Sequence, residues 1–301
     1  MQLRHFRTLV QIAEALSFTR AARGLNVSQS ALSQQIKDME EDLGVRLFDR
    51  SAHAVRLTEA GEIALDHARR ALAITALLRE AIDAYRGLKR GRLKLGVIQT
   101  FNALYLPAIV SQFIRRHETI DVEVLELANA DILARLALGE LDLGVGIGPA
   151  EPPLAAHKLY ADSLAFVCAR GHPFAERPTL KLRALDDQCL ALLSRGFTTR
   201  ASIDAFLQRH GIVPKRVLEF NTFAAILSAV SDGACVSIVP ADAHRVSPML
   251  ELYFGRLQPA PPQRIVCLLN GLAGMTTPAA RAFEVIVRAY FATAAPRERS
   301  A

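Results

Sequence analysis

No apolar run reaches the roughly eighteen residues that a membrane-spanning helix needs, so none is expected in this chain of 301 residues. The N-terminal stretch MQLRHFRTLVQIAEALSF carries basic residues, but its apolar part is short and Glu14 interrupts it. It reads as an amphipathic helix rather than a signal peptide, which implies retention in the cytoplasm with no membrane partner. Cysteine is scarce: the four are Cys168, Cys189, Cys235 and Cys267, with no Cys-x-x-Cys, and each lies in or beside an apolar stretch. Buried structural thiols are the expectation, and a redox-responsive role for Cys189 with another cysteine is the alternative. The eight histidines are scattered without ligand spacing, so no metal site is expected. A nucleophile elbow and a Gly-rich phosphate loop are both missing. An enzyme built on the α/β part of the chain is therefore disfavoured, with no catalytic residue and no cofactor to name.

Excess charge is also modest. The net charge is +6, and residues 1–58 hold eight Lys/Arg against six Asp/Glu. That permits nucleic-acid binding without arguing for it. With 51% apolar and 22% charged residues, the chain is expected to pack into two or three domains.

The first ninety residues read as helical. Leu3, Phe6, Leu9, Val10, Ala13 and Leu16 recur at helical spacing. Ser17 suits the N-cap of a short second helix, and GLNVS supplies a turn. Ser28 caps a third helix with an apolar stripe at Leu32, Ile36, Met39 and Leu43, ended by Gly44. VRLFDRSAHAVRLT then predicts a small hairpin, with Val45 and Leu47 before a turn at Ser51–His53 and Val55 and Leu57 after it. From Glu62 to Arg86 there is neither Pro nor Gly. Such a helix reaches roughly 40 Å and needs a partner for its seam, which predicts dimerisation. After the basic linker RGLKRGRLK, strand-like runs alternate with helices. They predict parallel α/β structure in two small lobes, with the chain crossing between them twice.

Helix, tight turn, helix is the layout in which the second helix enters the DNA major groove. On the face of the third helix away from Leu32, Ile36 and Met39 lie Ser30, Ser33, Gln34 and Lys37, with Gln29 at the edge and Ser28 at the cap. Gln and Ser offer hydrogen bonds to base edges, and Lys reaches guanine or phosphate. Arg50 and Arg56 on the hairpin flank the groove and suit phosphates. The bland alternative is a solvated polar face, and the surrounding helices and hairpin weigh against it.

The ordered stretch FRTLVQIAEALSFTRAARGLNVSQSALSQQIKDMEEDLGVRLFDRSAHAVRLTEAG resembles the winged helix-turn-helix of LysR-type transcriptional regulators. The resemblance runs over the whole chain. It implies an α/β protein: a DNA-binding domain over 1–58, a linker and dimerisation helix over 59–90, and a two-lobed effector domain like a periplasmic binding protein over 91–301. Lobe I would be about 91–160 with 265–301, and lobe II about 161–264. It also implies a homotetramer on double-stranded promoter DNA, contact with RNA polymerase, and a small molecule bound between the lobes. By position, Gln29, Ser30, Ser33, Gln34 and Lys37 match the recognition helix and Arg50 the wing. Ser30 stands where the family often has Pro, and SAHA at 51–54 where the wing often has a basic pair.

In two-lobed α/β binders the ligand lies at the carboxyl ends of strands, beside helix N-termini. That rule selects Thr100, Phe101 and Asn102, then Asn129, and Ile147 with Gly148. In the other lobe it selects Ser194–Thr199, including Thr198 and Thr199, and Asn221 with Thr222. Ser, Thr and Asn are equally the preferred helix caps. The family's inducer position favours Thr100 and Thr199. LLSRGFTTRASID and VLEFNTFAAIL look particularly like the branch of the cyanate-operon activator, which implies a small anionic effector that Arg195 could pair with.

Overall fold

The computed structural model describes residues 1–49, 55–85, 91–149, 154–272 and 276–293. The chain divides into two compact units, Met1–Leu88 with Ala137–Glu140, and Lys89–Leu136 with Leu141–Ala301.

The first unit begins with α1 (Leu3–Ala15), α2 (Phe18–Gly24) and α3 (Gln29–Leu43). Each start is set by local chemistry. The Ser17 hydroxyl accepts from the Arg20 N–H, and the Ser28 hydroxyl from the Ala31 N–H at 3.1 Å. Gly44 ends α3 at φ 70°, a left-handed conformation that costs glycine little. Leu9, Ile12, Ala21, Ala22, Leu32, Ile36 and Met39 form one core. The hairpin is β1 (Phe48–Asp49) against β2 (Arg56–Leu57), with Phe48 opposite Leu57. It starts later than the apolar pattern suggests. Val45 is exposed, while the Glu40 carboxylate accepts from the Leu47 N–H at 2.8 Å and fixes where the strand begins. The turn expected at Ser51–His53 lies outside the described residues. Next, α4 (Glu59–Tyr85) takes Gly61 into its first turn. A Cβ on Gly61 would stand 2.1 Å from the Leu47 carbonyl oxygen. The helix spans about 40 Å, and Ala68 joins the core of this unit.

The second unit runs β3 (Gly91–Val97), α5 (Gln99–Leu104), α6 (Leu106–Ile114), β4 (Ile120–Glu126), α7 (Asn129–Ala137), β5 (Leu143–Ile147) and β6 (Leu154–Asp162). It continues through β7 (Leu164–Ala169), β8 (Thr179–Lys181), β9 (Cys189–Leu193), α8 (Thr198–Arg209), β10 (Arg216–Phe220), α9 (Phe223–Ser231), β11 (Ser237–Pro240) and β12 (Leu252–Gln258). β13 (Arg264–Leu272) and α10 (Pro278–Thr293) close it.

One lobe is a five-stranded sheet in the order β4-β3-β5-β13-β6. β3 is parallel to β4 and β5, but β13 is antiparallel to both β5 and β6. The other holds the four-stranded sheet β11-β7-β12-β8 and the parallel pair β9 and β10. The sheets are thus mixed rather than purely parallel, because the returning β13 enters its sheet from the far lobe. LGVGI in β5 and LAFVCA in β7 are apolar runs, almost wholly buried. The alternation of the sequence did not mark β6 or β12. β6 is an edge strand with many exposed residues, and β12 is only partly buried. The chain passes between lobes from β6 to β7 and again from β12 to β13. At these crossings the last residue of β6, Asp162, pairs in register with the first of β13, Arg264.

Candidate functional site

In the helical unit, α3 presents two chemically distinct faces. Leu32, Ile36 and Met39 are buried, whereas Ser28, Gln29, Ser30, Gln34 and Lys37 are exposed and Ser33 is half-buried. The exposed side chains engage one another only at the surface. The Ser28 and Ser30 hydroxyls lie 3.0 Å apart, Thr19 donates to Gln29 at 3.3 Å, and Gln34 donates to Asp38 at 2.7 Å. Lys37 sits 3.4 Å from Glu41, one turn on. Such exposed contacts are worth little and give way to stronger partners. Ser30 occupies the second helical position, ahead of the N–H that Ser28 caps. A proline would fit that position, where the backbone N–H has no intrahelical partner. Arg56 is exposed on β2, and Arg50 lies outside the described residues.

The two-lobed unit contains a small cavity of about 30 Å³ where helix N-termini meet. It is lined from one lobe by Thr100, Asn129, Ile147 and Arg264, and from the other by Thr198, Thr199 and Phe223, among others. Thr100 and Thr199 are both buried. The Thr199 hydroxyl accepts from Arg264 Nη1 at 3.1 Å, across the lobes. Arg264 Nη2 is ion-paired with Asp162, and both side chains are buried. The Thr100 hydroxyl and Arg264 Nε have no hydrogen-bond partner among the described residues. Gln99 also spans the lobes, its side-chain Oε1 accepting from the Phe223 N–H at 2.6 Å.

Other sequence candidates have structural employment. Asn129 clips α7 to the end of β5: its Oδ1 accepts from the Ile147 N–H at 2.7 Å and its Nδ2 donates to the Ile147 carbonyl at 3.0 Å. A Cβ on Gly146 would meet Asn129 Oδ1 at 2.3 Å, so glycine leaves room for this clip. Phe101 is fully buried in the lobe core, against Tyr105 and Phe291. Asn102 donates to Glu126, and Ser194 donates to Asn221 at 2.7 Å. Thr222 caps α9 through the Ala225 N–H. Arg195 is exposed and faces Glu219 at 3.6 Å. None of Phe101, Asn102, Ser194, Arg195, Asn221 and Thr222 lines the cavity. The basic residue that does is Arg264, which sequence reasoning missed. Its one signal is a lone charge opening an apolar strand, RIVCLLN.

Family models match almost the whole chain. The bacterial regulatory helix-turn-helix protein model of the lysR family covers residues 3–62, and the LysR substrate binding domain model covers residues 86–292. The chain belongs to the LysR family. The HTH-type transcriptional regulator AlsR of Bacillus subtilis (strain 168) is 32% identical over 254 residues, 82% of this chain and 82% of that protein. A full-length OxyR variant from Pseudomonas aeruginosa superposes with a TM-score of 0.71 at 27% identity, covering 95% of this chain and 93% of that one. The Synechocystis PCC6803 CcmR regulatory domain, solved in complex with 2-PG, matches with a TM-score of 0.62 at 26% identity, over 67% of this chain and 98% of that one.

As a LysR-family member the chain is a DNA-binding transcriptional regulator with a ligand-binding effector domain, and not an enzyme. LysR-family regulators bind promoter DNA and act as oligomers. The cysteine-based alternative is not favoured. All four cysteines are free thiols, and burial pushes Cys168 and Cys235 up to about 11 and raises Cys267 as well. A thiol so shifted carries little of the reactive thiolate at neutral pH. Among the described residues no helix is long and apolar enough to cross a membrane, and no group of three His, Cys, Asp or Glu is placed to hold a metal ion.

Proposed function

We propose that this LysR-family regulator reads its operator through the outer face of α3 and its effector through the cavity between the two lobes. Ser28, Gln29, Ser30, Ser33, Gln34 and Lys37 face the bases and nearby phosphates, with Arg50 and Arg56 on the flanking backbone. The observation that carries the effector half is a cavity lined by the buried Thr100 and Thr199, with the Thr100 hydroxyl unpartnered. Such a group favours a ligand that supplies the missing hydrogen bond.

The resemblance to the cyanate-operon activator branch supports a small anion as the ligand. The cavity volume of about 30 Å³ agrees, since a single water needs about 10–15 Å³. The CcmR domain with bound 2-PG supports occupancy of this class of domain by a small molecule. The exposed Ile74, Leu78 and Ile82 on α4 support dimerisation through the linker. A homotetramer and a contact with RNA polymerase complete the reading. The domain division 1–58, 59–90 and 91–301 belongs to it too.

DNA co-purified with the full-length protein, then sequenced and footprinted, tests the first half. A defined protected site is expected, and sequence-independent protection would overturn it. A thermal-shift screen of small anions and aromatic acids tests the second half, since a ligand of the folded state raises the midpoint by mass action. A full shift in both Thr100→Val and Thr199→Val would remove the proposed cavity.

A further inference from the structure

Resting on the effector reading above, we propose that the ligand is a compact monoanion bound by Arg264 Nε–H, the Thr100 hydroxyl and the start of α8, with Asp162, ion-paired at Nη2, setting its affinity. Arg264 is the sole charged side chain among the described residues lining the cavity. Its five N–H donors form a fixed planar fork. Nη1 serves Thr199, Nη2 serves Asp162, and Nε serves no group among the described residues. Arg264 is 4% exposed and Thr100 is 2% exposed, so bulk water does not readily satisfy their free groups.

The third element is the N-terminus of α8, a helix of twelve residues whose cap residue, Phe197, provides no side-chain hydrogen bond. Its first turn brings Thr198 and Thr199 to the cavity. A helix start without such a cap carries partial positive charge and free backbone donors. An acceptor placed here would be met by a guanidinium N–H, a hydroxyl and a helix N-terminus, which together favour negative charge over a neutral amide. Asp162 limits how much. It already neutralises Arg264, so a bound anion gains from the helix end and the charge-assisted hydrogen bond while being repelled by that carboxylate. That balance selects a single charge. The same pair joins the two strands at the crossings between lobes, so a ligand drawing on Arg264 acts at the point about which the lobes would move.

The test uses full-length protein and three-heavy-atom probes of equal size, formate and cyanate against neutral formamide, read as shifts of the melting midpoint over a concentration series. Formate or cyanate should raise the midpoint and formamide should leave it unchanged. Asp162→Asn should melt lower without anion, yet bind formate about tenfold more tightly, because one repelling charge has gone. Thr100→Val, which keeps the ion pair, should bind it about tenfold more weakly. Formamide matching formate, no response to either anion, or weaker anion binding in Asp162→Asn would each overturn the proposal. The wider screen of small anions and aromatic acids on the same preparations separates the two readings. A shift with another acid that Thr100→Val and Thr199→Val blunt, with none from formate or cyanate, rejects the monoanion alone, while a full shift in both variants rejects the effector cavity itself.

Discussion

Asn129 shows how one side chain divides two explanations of the same position. Its amide satisfies both backbone groups of Ile147, with bonds of 2.7 and 3.0 Å. Asn129→Ala leaves those groups without partners, at a cost of about 1–3 kcal/mol. For a unit of this size that lowers the melting midpoint by several degrees, measurable with no ligand present. A mere effector contact would give the opposite pattern: an unchanged midpoint and a lost ligand response. Gln29 and Arg56 divide in the same way on the DNA side. Gln29→Ala should weaken specific binding far more than non-specific binding, because a base contact carries the discrimination. Arg56→Ala should weaken both and flatten the dependence on salt by about one counterion. Competition titrations at several salt concentrations separate the two, and a footprint indifferent to Gln29→Ala would contradict the assigned face.

Whether such residues are legible in a sequence depends on how far away their partners are. Ser17 and Ser28 were legible because a capping hydroxyl and the backbone N–H that donates to it lie three residues apart. Thr100 and Thr199 followed from a rule about strand ends. The Asn129 clip was not legible, since its partner is 18 residues on and a cap is the commoner use of asparagine. Arg264 was still less so, with Asp162 102 residues away. Arg195 looked the better cation because it sits among the loop hydroxyls, but it points to the surface beside Glu219.

Among the elements, those that bury one continuous stripe were the ones the periodicity foretold. α3 is an example: Leu32, Ile36 and Met39 lie in the core, although Leu43, the fourth position of the expected stripe, is exposed at the last residue of the helix. β6 and β12 escaped, since neither pairs a clean alternation with full burial. The long α4 raises a different question. Ala68 is buried, yet Ile74, Leu78 and Ile82 are exposed, which leaves an apolar stripe on a long helix, and helices in proteins draw most of their stability from packing such a face. A second copy of the same helix would cover it. Leu78→Glu with Ile82→Glu places charges in that seam, and sedimentation should then show a species smaller than the wild type. Far-ultraviolet circular dichroism should still report folded lobes. Unchanged sedimentation would mean that the association does not use this stripe. Gly61→Ala acts at the other end of α4, where the new Cβ meets the Leu47 carbonyl. That contact should loosen the hairpin and lower operator affinity.

For the whole molecule, effector and operator form a linked pair of equilibria. If the effector changes operator affinity by some factor, the operator must change effector affinity by the same factor. Couplings of this kind are typically about 1–3 kcal/mol, roughly 5- to 150-fold. The four dissociation constants are accessible on one preparation: effector with and without saturating operator, and operator with and without saturating effector. The two ratios should agree within error, at a protein concentration well above that at which the oligomer dissociates, because assembly would otherwise enter as a third equilibrium. Asp162→Asn sharpens the test. It changes effector affinity at the crossings between lobes while leaving α3 untouched. If the ion pair only sets how tightly the ligand is held, both ratios stay at their wild-type value while effector affinity rises. If the pair also carries the coupling, both ratios fall together toward one. Unequal ratios at fixed oligomeric state would contradict a simple two-ligand linkage and require a further species in the cycle.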